Sequence, residues 1–230
     1  MIESQRYLAS VYIPGPNVVD DPSDIVRLLR TAGVGHLISH VGGEFDATLL
    51  PFLVDHELRT ARAHFARANP QWRSLDGQPI LFVVPVSNAY VSPSWYPSKQ
   101  VDGRVVPTWN YEVVHLHGTA QIRDDATFVE CVVRDLTERH EVVRSGRDGE
   151  PPWSVDDAPR DFIERQIRAI VGVEIAIERV DAKRKLSQNR SDDDQAGVIA
   201  GLSQSPHDGN ASVARAMRVD DGPRTPVARA

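Results

Sequence analysis

A chain of 230 residues, 41% hydrophobic and 25% charged, is long enough to close one sizeable core and has the balance of a globular domain. Its formal net charge of −6 argues against a protein built mainly to grip nucleic acid, and leaves any such role to a local patch or a partner. The single cysteine, Cys131, excludes an internal disulfide and a zinc site built on cysteines, and no stretch reaches the roughly 18 apolar residues of a spanning helix.

The opening "MIESQRYLASVYIPG" lacks the charged-then-apolar pattern of a secretory leader, so a cytoplasmic location is expected. Pro14, Gly15 and Pro16 keep the first 20 residues irregular. "DDPSDIVRLLRTAG" predicts a helix, with Asp21 as N-cap, Pro22 in the first turn and Gly33 as the stop. From Val34 to about Thr119 the pattern is β. "VGHLISHV" and "FDATLLPFLVD" flank "GGE" as a hairpin, and "LRTARAHFARA" follows a tight "DHE" turn. "QPILFVVPVS" reads as a buried strand, "NAYVSPSWYPSKQVDG" as a loop and "VVPTWNYEVVHLHG" as the next strand. Short strands in succession, without helices between them, favour an antiparallel barrel over a βαβ sheet.

After Ile122 the pattern turns helical. "DDATFVECVVRDLTERHE" carries Phe128, Val129, Val132, Val133 and Leu136 at helical spacing, with Cys131 expected on the same apolar face. "RSGRDGEPPW" reads as a loop, and "APRDFIERQIRAIV" as a helix with Phe162, Ile163, Ile167 and Ile170 inward. "GVEIAIERVDAK" alternates as a strand, setting Val173, Ile175 and Ile177 against Glu174, Ala176 and Glu178. "SDDDQAGVIAGLSQ" is a helix opened by acidic residues, as the helix dipole favours. The expected organisation is one domain over residues 1–218, with C-terminal helices, and a disordered tail over 219–230.

His115 and His117 share a strand face, but hydrogen bonding is the better reading of the pair, because no third ligand is obvious, although His64 is present. Lys183, Arg184, Lys185 and Arg190 form the concentrated basic patch. Three aspartates follow it at 192–194, and no helix-turn-helix pattern accompanies it.

Four segments mix aromatic, amide and cationic groups: "HFARANPQW", "AYVSPSWYPSK", "VPTWNYEVVHLHG" and "KRKLSQNR". In order and wording they resemble the PaiB family of FMN-binding negative transcriptional regulators, and the likeness runs from "VYIPG" to "KLSQNRSDDDQAGVIAGL". The resemblance implies an α+β, mainly β fold: an FMN-binding split β-barrel with flanking helices. It also implies a homodimer with FMN at the subunit interface. DNA would be a partner either directly or through another protein, and a membrane would not. FMN needs cations at its phosphate, aromatic walls at its ring and amide-type groups at the ring edge. On this likeness Arg67 and Lys99, helped by Asn69 or Ser98, serve the phosphate. Tyr90, Trp95 and Trp109 wall the ring, Asn110 and Gln188 read its edge, and Lys185 and Arg190 complete the site. Members of the family carry His-Leu-Pro-Leu where this chain has "LLPF", and Gly-Pro-His where it has "VPVSN". Two other functions fit the same pattern: a flavin-dependent oxidoreductase in which FMN carries the redox chemistry, and a flavin-site remnant acting through protein partners.

Overall fold

The computed structural model describes residues 11–219. Its helices are α1 (Pro22–Thr31), α2 (Ala126–Asp148), α3 (Arg160–Arg168), α4 (Asp192–Gln204) and α5 (Asp208–Val219). Its strands are β1 (Val34–Val41), β2 (Glu44–Val54), β3 (Thr60–Ala66), β4 (Pro79–Val91), β5 (Thr108–Arg123) and β6 (Ile170–Lys185). The strands close into a barrel in the order β1-β2-β3-β6-β5-β4, the expected mainly β, α+β architecture. Two compact units result. The first is Asp21–Pro85 with Val114–Val180; the second is Val86–Val113 with the described parts of Met1–Asp20 and Asp181–Ala230.

In the first unit, β1 and β2 form the expected hairpin, in antiparallel register from Val34↔Pro51 to Val41↔Glu44. Gly42 and Gly43 turn it at φ 64° and 88°, a left-handed pair that glycine adopts without strain. The "DHE" turn is organised by Asp55, whose carboxylate accepts from the backbone N–H groups of Glu57, Arg59 and Thr60 and from the Thr60 hydroxyl. Leu37, Phe52, Phe65, Phe82, Leu116, Val173 and Ile175 fill the core. Between β5 and β6 the backbones approach so closely that a Cβ on Gly118 would lie 2.1 Å from the Ala176 carbonyl oxygen, which gives the glycine of "HLHG" a packing reason. Outside the barrel, Val129 on α2 packs with Val155 and with Ile163 and Ile167 of α3.

Helix α1 begins as expected, Asp21 accepting from Ser23 N at 2.8 Å and Asp24 N at 3.1 Å. It ends before Gly33, and the stop has another cause. Arg139 of α2 donates to the carbonyls of Leu29, Arg30 and Ala32 at 3.2, 2.6 and 3.0 Å, and to that of Phe52 at 2.9 Å. One guanidinium therefore satisfies the orphan carbonyls that every helix leaves at its C-terminus. Helix α2 also runs beyond its expected end, through "RSGRD", to Gly149 at φ 77°. Cys131 is exposed, since Val129, Val132 and Leu136 take the buried stripe. Phe162 is exposed too, leaving Ile163 and Ile167 inward.

In the second unit, α4 and α5 pack on a cluster of Ala89, Val91, Tyr96, Leu186, Val198, Leu202, Val213, Ala214 and Met217. Strand β4 continues through "NAYV", which the sequence assigns to a loop. Trp95 lies flat against α4: a Cβ on Gly201 would meet its ring at 2.3 Å, and one on Gly197 would meet its carbonyl oxygen at 2.1 Å. Ser191 caps α4 by accepting from Asp194 N, and the buried Asp194 carboxylate accepts from the amide and hydroxyl of Ser98 at 3.0 and 2.8 Å. The expected tail lies, from residue 220, outside the described residues. Among the described residues no helix is long and apolar enough to cross a membrane.

Candidate functional site

Alternation along three neighbouring strands builds the site in the second unit. Ser87, Ala89 and Val91 of β4, Asn110 and Glu112 of β5, and Ala182 and Arg184 of β6 are buried. The intervening positions therefore point the other way: Tyr90 on β4, Trp109 and Tyr111 on β5, Lys183 and Lys185 on β6. Trp109 is 54% exposed and Tyr90 45%. Their rings meet edge-on at 6.2 Å, a favoured aromatic geometry. Lys185 is tethered beside them, its Nζ donating to Thr108 Oγ1 and to the Trp109 carbonyl, each at 2.6 Å. Burial pushes its pKa below the ordinary lysine value; Lys183 adds to that shift and Tyr111 opposes it. Lys183 lies 5.3 Å from the centre of the Tyr111 ring and 5.9 Å from that of Tyr12, and donates to the Tyr12 carbonyl.

The buried side of the same strands is a polar network. Arg184 Nε donates to Glu112 Oε1 at 2.9 Å, and the Ser87 hydroxyl donates to Glu112 Oε2 at 2.9 Å. Asn110, fully buried, accepts from the Ser187 hydroxyl at 3.1 Å, and its amide faces Met217 Sδ at 3.5 Å. Asn110 and Trp109 are sequence neighbours and so face opposite ways. Gln188 is also spent locally: Oε1 accepts from Leu186 N and Nε2 donates to the Arg184 carbonyl, both at 2.7 Å. Arg190 lies over the Tyr96 ring at 4.7 Å. Lys99, on the turn after Tyr96, is exposed.

Arg67 and Asn69 belong to the first unit. Arg67 forks onto Asp124 at 3.0 and 2.5 Å, and donates to the carbonyls of Arg168 and Ile170 at 2.8 and 3.0 Å. These bonds join the end of β3 to the start of β6 and to the turn before α2. Asp124 is correspondingly held below the usual carboxylate range by Arg67. Asn69 donates to Thr48 Oγ1 at 2.9 Å and accepts from Gln71 N at 2.9 Å, while buried Gln71 donates to the Ser39 hydroxyl at 3.0 Å. Trp72 Nε1 closes the loop on the Arg67 carbonyl at 3.1 Å. "HFARANPQW" thus ties itself to β1 and β2. Two surface hollows in this unit take in none of the expected residues: one of about 600 Å³ beside Arg27, Arg30 and His56, and one of about 510 Å³ beside Glu138, Val142 and Trp153. Among the described residues no three His, Cys, Asp or Glu side chains gather as a metal would need.

The second unit carries groups of the types that FMN calls for. Trp109 and Tyr90 leave aromatic surface uncovered. Lys185 offers the third of its N–H donors. Arg190 donates no hydrogen bond from its guanidinium among the described residues. In the sequence Lys183 is singled out only as part of the basic patch, and Tyr111, Ser87 and Glu112 are not singled out; the strict alternation of "TWNYEV" is the available signal for two of them, since it pairs Trp109 with Tyr111 and Asn110 with Glu112.

A family model described as "Putative FMN-binding domain" matches residues 11–179. The chain is 32% identical over 197 residues to "Protease synthase and sporulation protein PAI 2" of Bacillus subtilis, covering 84% of this chain and 89% of that relative. Among solved structures, the FAD and heme binding protein of Mycobacterium smegmatis superposes with a TM-score of 0.52 at 17% identity, over 78% of this chain and 79% of that one. The flavocytochrome Anf3 of Azotobacter vinelandii gives 0.51 at 16% identity, over 75% and 72%. These two likenesses bear on the fold.

Proposed function

The chain belongs to the PaiB-like family of FMN-binding split-barrel proteins, and we propose that it works as a cytoplasmic, FMN-holding homodimer that represses transcription. The observation that carries the reading is the Trp109–Tyr90 pair. Two large rings stay half-exposed on the second unit while Tyr96 and Leu186 in that unit are buried. A flavin ring seated there would cover apolar surface that water now meets, which is favourable in proportion to the area covered. Lys185, held at the Trp109 carbonyl, supplies a positive charge beside it. FMN, when bound, supplies redox capacity; the chain supplies binding, orientation and charge. A second subunit is the natural cover for the remaining aromatic surface, because such patches mark interfaces.

The test is direct. Purified protein is incubated with excess FMN, desalted and examined for the flavin's visible absorption, beside Trp109→Ala. Retained flavin in the wild type and its loss in the variant are the expected result; a wild type that leaves the column colourless overturns the reading. Repression is tested separately, by the mobility of a promoter fragment across a salt series, since direct binding to phosphates weakens as salt rises. No shift at low salt removes direct DNA binding and leaves repression through a partner.

A further inference from the structure

Lysine is scarce in this chain: 23 arginines stand against three lysines, Lys99, Lys183 and Lys185. Two of the three share one strand face. Alternation sets Lys183 and Lys185 outward on β6, about 7 Å apart along the strand. Their contacts fix the side. Lys185 is bonded to Thr108 and to the Trp109 carbonyl, and Lys183 lies by the Tyr111 ring, two residues further along β5. Trp109 in turn meets Tyr90. Arg184, between the two lysines, points the other way onto Glu112. Arg190 lies over Tyr96, a member of the cluster on the buried side.

Neither outward lysine has a carboxylate partner among the described residues. Lys185 is held by a hydroxyl and a carbonyl, and Lys183 by the Tyr12 carbonyl and two aromatic rings. The two ammonium groups feel each other: Lys183 adds to the lowering of the Lys185 pKa that burial begins and Tyr111 opposes. Like charges held side by side repel, and an anion between them relieves the repulsion. A phosphate monoester suits the gap. It carries near two negative charges, and charge-assisted bonds of about 2.8 Å to either side let it reach both amines.

Resting on the flavin reading above, we propose that Lys183 and Lys185 together clamp the FMN phosphate on the face that carries Trp109, so that this pair selects FMN over riboflavin. Riboflavin, which is FMN without the phosphate, isolates the role. Quenching of flavin fluorescence is titrated with FMN and with riboflavin on wild type, Lys183→Gln, Lys183→Arg and Lys185→Gln, with thermal melts to verify folding. Wild type is expected to bind FMN more tightly than riboflavin. Lys183→Gln should weaken FMN by about tenfold to a hundredfold, the range of a charge-assisted contact, and leave riboflavin within about twofold. Lys183→Arg keeps the charge and should recover part of that loss. Lys185→Gln should likewise narrow the preference for FMN. A second readout needs no variant: amine acylation followed by peptide mass spectrometry. FMN should slow the acylation of Lys183 and Lys185 more than riboflavin does, with Lys99 as the internal reference. An undiminished preference for FMN in either glutamine variant overturns the proposal, and so does protection of Lys99 without the pair. A wild type that binds both flavins equally also overturns it, while leaving the flavin reading standing. A wild type that binds neither overturns that reading as well.

Discussion

Glu112 is almost as buried as a side chain can be while charged: its side chain is 6% exposed and that of its partner Arg184 10%. Such a pair contributes little relative to apolar residues, but breaking it is costly, because the survivor is left charged and without its counter-ion. Glu112→Ala should therefore lose about 3–5 kcal/mol, and the double variant Glu112→Leu, Arg184→Met should lose less than Glu112→Ala alone. Urea denaturation of the variants tests both; a double variant less stable than the single would reject this account. Arg139 makes a different kind of bond set, to four backbone carbonyls and, among the described residues, to no carboxylate. Arg139→Met should cost about 1.5–3 kcal/mol, as hydrogen bonds to a charged donor do, and should raise amide exchange in α1 before the rest of its unit. At this scale the sequence was legible where a residue's type and parity sufficed. The sequence reads Trp109 and Tyr90 as wall and Lys185 as cation, and the three lie together in the second unit. Asn110 and Gln188 read as amides able to meet a ring edge, yet Asn110 bonds inward and Gln188 bonds to the backbone of its own turn. The partner that claims Asn110 is Ser187, 77 residues further along the chain, and no local pattern announces a contact of that range.

Among the elements, α4 and the turn bearing Trp95 are matched by subtraction. Gly197 and Gly201 stand one helical turn apart and leave the space that the Trp95 backbone and ring occupy. Alanine at position 201 would gain up to about 1 kcal/mol of helix propensity. It would also drive its Cβ into the ring, and overpacking of this kind costs about 1–3 kcal/mol. Gly201→Ala is thus expected to be destabilising on Trp95 and less so in a Trp95→Leu background, which a double-mutant cycle by denaturant melts measures. Helices α2 and α3, packed through Val129, Ile163 and Ile167, are joined by charge as well. Arg160 first, then Arg134, hold the Glu130 carboxyl down to about 2 from an ordinary 4.5. A carboxylate with a lowered folded pKa gives stability that is complete above 4.5 and is lost as pH falls through about 2. The arginines of this cluster face solvent, so its contribution is small and fades with salt. Glu130→Gln should flatten that acid limb of the melting-temperature profile at low ionic strength; an unchanged limb would place the acid sensitivity elsewhere. The elements themselves were readable because period-2 and period-3.6 patterns persist over long runs. The strand read as a loop has a plain cause. Along β4 the buried positions shift from even (80, 82, 84) to odd (87, 89, 91), and along β6 from odd (171, 173, 175) to even (182, 184). A strand that changes parity looks like two segments, so "NAYV" reads as loop although the chain continues in β structure.

For the whole molecule, the net charge of −6 weighs against the direct grip on DNA that the proposed repressor role would need. The two agree if the molecule's first ligand is FMN and contact with DNA is secondary to it. Ligand binding and subunit association both act on stability by mass action, so one set of melts examines them together. At about a hundredfold excess over its Kd, FMN adds about 2.7 kcal/mol, which for a chain of this size raises the midpoint by about 5–10 °C. If the flavin site is completed by a second subunit, the midpoint should also climb with protein concentration, and the FMN increment should shrink on dilution below the dimer's dissociation constant. A site complete within one chain gives the same increment at every concentration. Half-exposed Trp109 and Tyr90 favour the first outcome, because a flavin covers one face of an aromatic wall and leaves the surrounding apolar surface for a partner. Trp109→Ala should then lower both the FMN increment and the concentration dependence. A variant that loses the increment but keeps the concentration dependence would separate the flavin wall from the subunit interface, and would place the dimer contact on another face of the molecule.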